Sequence, residues 1–155
     1  MVKKLTTLEI LNICAWYKKC REDANKPLSV LPLTVQWKIK NNVKKIQEIA
    51  DNFTQFRDEA DNEIREEYIS DEKSEESTDE NGLPIRKIKD EYLEGYQAKI
   101  TELNAKLTEI VESENEIDFD CVDINAIVEQ INDTDKKFTI DDLEVLMMFM
   151  DNSEE

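Results

Sequence analysis

Apolar residues recur at helical spacing along most of this chain. Leu5 to Ala24 reads as a first helix, with Leu8, Leu11, Ala15 and Tyr17 on one face and Ile10, Cys14 and Trp16 widening it. So broad an apolar face predicts a helix clamped between other elements. Pro27 and Pro32 then disfavour helix. Val30 and Leu31 are expected to form a short extended piece, and Thr34 reads as an N-cap. A second helix is expected from Val35 to Tyr68, where Ile39, Ile46, Phe53 and Ala60 recur every seven residues. Ile49 and Phe56 fill the offset positions, and Val35, Val43, Ala50 and Ile64 broaden the stripe. At 1.5 Å per residue such a helix is roughly 50 Å long, so its partner must be long too. From Asp90 to Ser113, Leu93, Ile100 and Leu107 interleave with Tyr96, Leu103 and Ile110 as two seven-residue series. This a/d pattern, sustained for about three heptads, predicts an antiparallel intramolecular hairpin with coiled-coil-like packing. Gly95 within it weakens the helix by ~1 kcal/mol relative to Ala.

Between the two helices the pattern vanishes. Ser70 to Gly82 holds six carboxylates, one lysine and no apolar residue. Such a stretch buries too little surface to offset its ordering entropy, so residues 70–89 are expected to form a mobile acidic tip. Asn81-Gly82 is the dipeptide of a tight turn, and Leu83-Pro84-Ile85 returns the chain. After the hairpin, Ile117, Phe119 and Cys121 alternate with acids as in a half-buried strand, and pairing with Val30–Leu31 is expected. Asp123 reads as the cap of a short helix to Ile131, with Ile124, Ile127, Val128 and Ile131 inward. Thr139-Ile140-Asp141-Asp142 has the spacing of a capping box, opening a last helix with Leu143, Leu146, Met147 and Met150 buried. The expected fold is therefore mainly α. A long antiparallel helical hairpin (34–113) stands on a small acidic base of α with short β (114–155). The first helix and Pro linker (1–33) complete a single domain of residues 1–155.

Composition sharpens this picture. The chain has 155 residues, is 37% charged with a formal net charge of -17, and has only 2 Gly. Scarce glycine disfavours a β-sandwich. Residues 1–45 hold 10 basic and 3 acidic groups, whereas residues 70–155 hold 8 basic and 26 acidic ones. That asymmetry bears on partners and solubility, not on fold. Histidine is absent, which removes the commonest general base and the usual transition-metal ligand. Two glycines cannot build a phosphate-binding loop. Cys14, Cys20 and Cys121 match no zinc spacing and read as free thiols of a reducing compartment. No stretch approaches the ~20 apolar residues of a membrane span. The expectation is a cytoplasmic protein of a bacterial host, with no membrane partner, no cofactor and no enzymatic activity.

Three constellations invite function. Asp133 to Glu144 has acids at the first, third, ninth and twelfth positions of a calcium loop, but Lys137 and Phe138 occupy the fifth and sixth, where a ligand and glycine belong. A helix cap at Thr139 is the better reading. Lys38, Lys40, Lys44 and Lys45 with Trp37 form a basic patch. The overall charge opposes nucleic-acid binding there, and Lys40 and Lys44 equally suit docking of the chain's own acidic tail. The acids offered to a partner are Asp71, Glu72, Glu75, Glu76, Asp79 and Glu80 at the tip, and Asp118, Asp120 and Asp123 beyond the hairpin. Alternation puts Asp118 and Asp120 on the solvent face of a strand.

The order of features is also informative. A short first helix leads to Leu31-Pro32 and then to Trp37-Lys38-Ile39 with Asn41-Asn42. Phe56-Arg57, the turn Asp79-Glu80-Asn81-Gly82 and Ile140-Asp141-Asp142-Leu143 before a Met-rich end follow. This order resembles a family of small acidic proteins of unknown function from phages and prophages of low-GC Gram-positive bacteria. The resemblance covers nearly the whole chain and brings no catalytic residues. It implies a phage context near virion-assembly genes. The expected function is that of a non-enzymatic phage accessory protein acting by contact with a virion or host protein. The alternative is an acidic nucleic-acid mimic that inhibits a host nuclease or defence system, of the anti-restriction or anti-CRISPR type. Self-association through the long seam is a third option.

Overall fold

The computed structural model describes residues 1–23, 27–132 and 138–150. Its elements are β1 (Val2–Thr6), α1 (Thr7–Glu22), a 3-10 turn (Pro27–Val30), α2 (Leu33–Tyr68), β2 (Ser74–Thr78), β3 (Pro84–Ile88), α3 (Asp90–Glu112), β4 (Glu114–Asp118), α4 (Ile124–Asn132) and α5 (Ile140–Met148). The fold is mainly α, with a long helix, a helical hairpin and short antiparallel β pieces. The chain divides into two compact units where the sequence suggested one domain. The first unit is Met1–Asp51 with Glu112–Glu155, and the second is Asn52–Val111. The two halves of α2 therefore belong to different units.

The first unit has a continuous core. Ile10, Ile13, Cys14, Trp16 and Cys20 from α1 meet Val35, Ile39, Val43, Ile46 and Ala50 from α2. Ile117, Phe119, Val122, Ile127, Leu146 and Phe149 complete it, and the Phe119 and Phe149 rings meet edge to face at 5.2 Å. Helix α1 begins at Thr7 because Thr6 caps it. Its hydroxyl accepts from the Glu9 N–H at 3.2 Å, and Glu9 accepts from the Thr6 N–H at 2.8 Å, a full capping box. The Thr-x-x-Glu signature stood in the sequence and places the helix start two residues after the expected Leu5. The buried face is also rotated. Ile10 and Ile13 are fully buried, whereas Leu8 is 50% exposed and Ala15 lies outside.

The strand expected at Val30–Leu31 is absent, because Val30 ends the 3-10 turn. The acidic strand β4 pairs instead with the N-terminal strand β1, antiparallel, with Lys3 opposite Ile117 and Leu5 opposite Asn115. A basic strand and an acidic one thus lie side by side. Helix α2 starts at Leu33, one residue before the expected cap at Thr34. Asp123 does open α4, accepting from the Asn125 N–H at 2.9 Å, and Ile127 is buried while Val128 is 48% exposed. Thr139 caps α5 with Asp142 as its reciprocal partner. The inward residues near the end of the chain are Val145, Leu146, Phe149 and Met150; Leu143 and Met147 face outward.

In the second unit, the end of α2 and α3 run antiparallel. Phe53, Tyr68 and Leu103 are buried, and Tyr96, Ile100, Leu107 and Ile110 are half-buried. The a/d series of α3 thus marks the seam, apart from Leu93, while Phe56 on α2 is 45% exposed. The Tyr68 and Tyr96 rings meet edge to face at 5.5 Å. Gly95 is explained by the same tyrosine: a Cβ there would lie 3.0 Å from the Tyr68 hydroxyl oxygen. The propensity gain of ~1 kcal/mol for Gly95→Ala is therefore expected to be offset by the cost of shifting the buried Tyr68 phenol. In a Tyr68→Phe background the same substitution should recover about 1 kcal/mol. Urea melts of the four proteins of this cycle would measure it, and equal effects in both backgrounds would exclude the clash.

The stretch expected to be a mobile acidic tip is a paired β-hairpin. Glu75 lies opposite Lys87, Glu76 opposite Arg86 and Ser77 opposite Ile85. Residues 70–82 carry no apolar signal of their own, and the partners that order them come later in the chain.

Candidate contact surfaces

The hairpin is built from polar chemistry. At its base, Arg86 Nε donates to Ser74 Oγ at 2.9 Å, and its Nη2 donates to Asp71 Oδ1 at 3.2 Å and the Ser74 carbonyl at 3.3 Å. Ser74 is buried and donates to the Ser70 carbonyl at 2.6 Å. The Lys73 ammonium lies 4.9 Å from the Tyr68 ring centre and 5.7 Å from that of Tyr92, cation–π contacts that tie the strand to the helical seam. At the tip, one Asp79 carboxylate oxygen accepts from the Asn81 and Leu83 N–H groups, each at 2.9 Å. Gly82 adopts φ 78° and donates to the Asp79 carbonyl at 3.0 Å. Glycine takes that left-handed conformation without steric cost.

These contacts sort the tip acids. Asp79 is occupied by the turn, and Asp71 holds the Arg86 clamp with its side chain open to solvent. Glu75 and Glu76 are exposed but face cations across the hairpin. Glu72 and Glu80 are exposed. Residues 70–89 carry six carboxylates against four cations, so the local field is much weaker than residues 70–82 suggest. The hairpin also displays apolar side chains, with Leu83 59% and Ile85 43% exposed. Beside them an open groove is lined by Glu76, Ser77, Thr78, Pro84, Ile85 and Arg86. On the helical part of this unit, Lys99 donates to Glu67 at 2.5 Å. That hydrogen bond holds the Glu67 carboxyl below its usual range and the Lys99 ammonium above its own.

Asp118, Asp120 and Asp123 belong to the first unit and serve its structure. Asp118 pairs with the Met1 ammonium at 2.8 Å, and that bond holds its carboxyl below the usual range. Asp120 pairs with Lys45 at 3.3 Å, and Asp123 caps α4. Both Asp118 and Asp120 are exposed, as the alternation required. Among the described residues, the acidic 118–121 segment docks on the basic helix through Lys38 and Lys45; the acids at the end of the chain lie outside the described residues. Lys38 donates to the Cys121 carbonyl at 3.0 Å and Lys45 to the Asp118 carbonyl at 2.8 Å. Asn42, which the sequence marks only as part of the Asn41-Asn42 pair, completes the dock. It is fully buried, donates to the Asp120 carbonyl at 2.9 Å and accepts from the Asp120 N–H at 2.8 Å. Its signal was an amide in the seam between Ile39 and Ile46.

The charge asymmetry along the sequence is thus consumed in folding. By sequence, the first unit holds 12 Lys/Arg against 20 Asp/Glu and the second 8 against 17. Both units are acidic, by -8 and -9.

The thiols are unpaired, and Cys14 and Cys20 are buried. Burial first, and Asp51 second, push the Cys14 pKa to about 11. Burial and then Asp142 do the same for Cys20, also to about 11. At pH 8, iodoacetamide should therefore alkylate native protein at the half-buried Cys121 alone, and all three cysteines in denaturant. Rapid labelling of Cys14 or Cys20 in native protein, read by peptide mass spectrometry, would contradict this packing.

Of the calcium-loop residues, Asp133, Asp135 and Lys137 lie outside the described residues. Asp142 is committed to Trp16 and to the α5 cap. Among the described residues, no group of three or more Cys, Asp or Glu side chains is placed to hold a metal, and no helix is long and apolar enough to cross a membrane. The chain matches no family model, no curated protein and no solved structure.

Proposed function

We propose that this is a non-enzymatic contact protein, of the phage accessory kind that its order of sequence features resembles, and that the β2–β3 hairpin is its contact element. One observation carries the reading. A segment that buries almost nothing of its own is held in fixed register by a dedicated clamp of Arg86, Ser74, Asp71 and Lys73, and it displays Leu83 and Ile85 among charges. Ordering the element beforehand reduces the entropy that binding must overcome. Apolar residues ringed by charge suit a protein surface, virion or host. The cross-strand cations Arg86 and Lys87 interrupt the acidic field at this end, which disfavours the nucleic-acid-mimic reading there.

The test is affinity capture from phage-infected cells with the native protein and a Leu83→Ser/Ile85→Ser/Glu80→Lys variant whose melting is unchanged. A saturable virion or host protein captured by the first and lost from the second is the expected result. Equal capture by both would move the contact elsewhere. A captured host nuclease that DNA displaces at low salt would establish the mimic reading in its place.

A further inference from the structure

A second surface, in the first unit and independent of the hairpin, has the makings of a docking site. Helix α2 buries Val35, Ile39, Asn42, Val43 and Ile46. Its opposite side carries Leu33, Trp37, Lys40 and Lys44 at successive helical turns. Leu33 is 82% and Trp37 63% exposed, and both lysines are exposed. Folding treats the four lysines of this region differently. Lys38 and Lys45, on the flank, bind the 118–121 segment. Lys40 and Lys44 make no ion pair among the described residues, although the chain carries 37 carboxylates. Among the described residues, a protein with a net charge of -17 thus sets two cations with no ion pair beside its most exposed aromatic side chain.

From this juxtaposition we infer that the Leu33–Trp37–Lys40–Lys44 face of α2 docks a short acidic amphipathic segment of another protein. Its apolar residues lie on Leu33 and Trp37, and its carboxylates meet Lys40 and Lys44. The stripe spans about 16 Å, the length of an 11-residue helix, and an amphipathic helix read by anchors one turn apart is a common recognition mode. Trp is the residue type most enriched at binding hot spots. Charge complementarity selects the occupant. Beyond Lys44 the same side of α2 continues with Glu48 and Asp51, both exposed. A phosphate backbone running along the helix would be repelled there, whereas a peptide can confine its charges to two positions.

The test is selection of a displayed library of random peptides, about twelve residues long, on the native protein. Counter-selection uses the Trp37→Ala/Lys40→Glu/Lys44→Glu variant, and Lys40→Gln/Lys44→Gln replaces the reversals if they lower the melting temperature. Enriched peptides should carry Asp or Glu and apolar residues at helical spacing. They should bind Trp37→Ala at least about tenfold more weakly and loosen as salt rises. Three results would overturn the inference. No peptide separates native protein from variant, the enriched peptides are basic, or a dT20 oligonucleotide binds this face more tightly than any selected peptide.

Discussion

Replacing Asn42 with alanine is expected to lower the stability of the protein by about 2–3 kcal/mol, although its partners among the described residues are backbone atoms alone. Asn42 serves one peptide unit from both sides, donating to the Asp120 carbonyl and accepting from the Asp120 N–H. It does what a neighbouring strand would do for a segment that β1 no longer reaches, since the β1–β4 pairing ends at Asp118. Alanine leaves an N–H and a carbonyl without partners next to Phe119 and Val122, and each such group costs about 1–3 kcal/mol. The cost should appear as a lower urea midpoint at unchanged slope. Asn42→Asp separates the hydrogen-bonding argument from mere packing. An ionised carboxylate still accepts from the N–H but cannot donate to the carbonyl, and it places a charge in a fully buried position near Asp118 and Asp120. Burial and like charge raise a carboxyl pKa in the folded state. The aspartate variant should therefore lose most stability at neutral and higher pH, and recover part of it as pH falls and the protonated carboxyl can donate. An alanine variant within about 0.5 kcal/mol of the native protein, the range of surface substitutions, would show that the dock depends on Lys38 and Lys45 alone.

Asn42 also shows what the sequence conveyed and what it withheld. The helices were legible because their signals are periodic and local: the α3 series Tyr96-Ile100-Leu103-Leu107-Ile110 reads directly as a seam, and Thr139 with Asp142 reads as a cap. Pairings between distant segments were not legible. The alternation of Ile117, Phe119 and Cys121 marks an extended stretch of which only Ile117 and Asp118 fall in β4, and its partner at Val2–Thr6 lies more than a hundred residues away, with nothing in either segment to specify the other. The β2–β3 hairpin is hidden in the sequence for a related reason. Residues 70–82 lack apolar side chains, so nothing local to them offsets their ordering entropy. What orders them is Arg86 reaching back to Asp71 and Ser74, and Lys73 seated over Tyr68 and Tyr92. The candidate acids were named from composition, and folding redistributed them: Asp79 and Asp123 to backbone caps, Asp71 to a clamp, Asp118 and Asp120 to ion pairs. Exposure of Trp37 could not be read from the sequence either, since tryptophan in a helix with a wide apolar stripe is more often buried. Its contrast with Trp16, which is 8% exposed, is a property of the fold.

Trp16 leads to the other large effect. Asp142→Ala should cost about 2–3 kcal/mol, because one carboxylate completes two structures. Oδ1 accepts from Trp16 Nε1 at 2.7 Å and faces Cys20 Sγ at 4.0 Å, while Oδ2 accepts from the Thr139 N–H at 2.8 Å. Alanine removes the reciprocal half of the α5 capping box, worth about 1 kcal/mol. It also strands the N–H of a buried indole, at about 1–2 kcal/mol. Asp142→Asn should fall between alanine and the native residue, since an amide offers one acceptor oxygen and turns an N–H toward the second donor. Charge removal has its own readout. Burial is the first cause that raises the Cys20 pKa and Asp142 the second, so Asp142→Asn should bring that pKa down from about 11 without exposing the thiol. Alkylation of Cys20 would then set in at lower pH in the asparagine variant, while Cys14, raised by burial and Asp51, keeps its native profile. If both thiols shifted together, the variant would have loosened the core; if neither moved, Asp142 would not reach Cys20 electrostatically, and its effect would be confined to the cap and the indole.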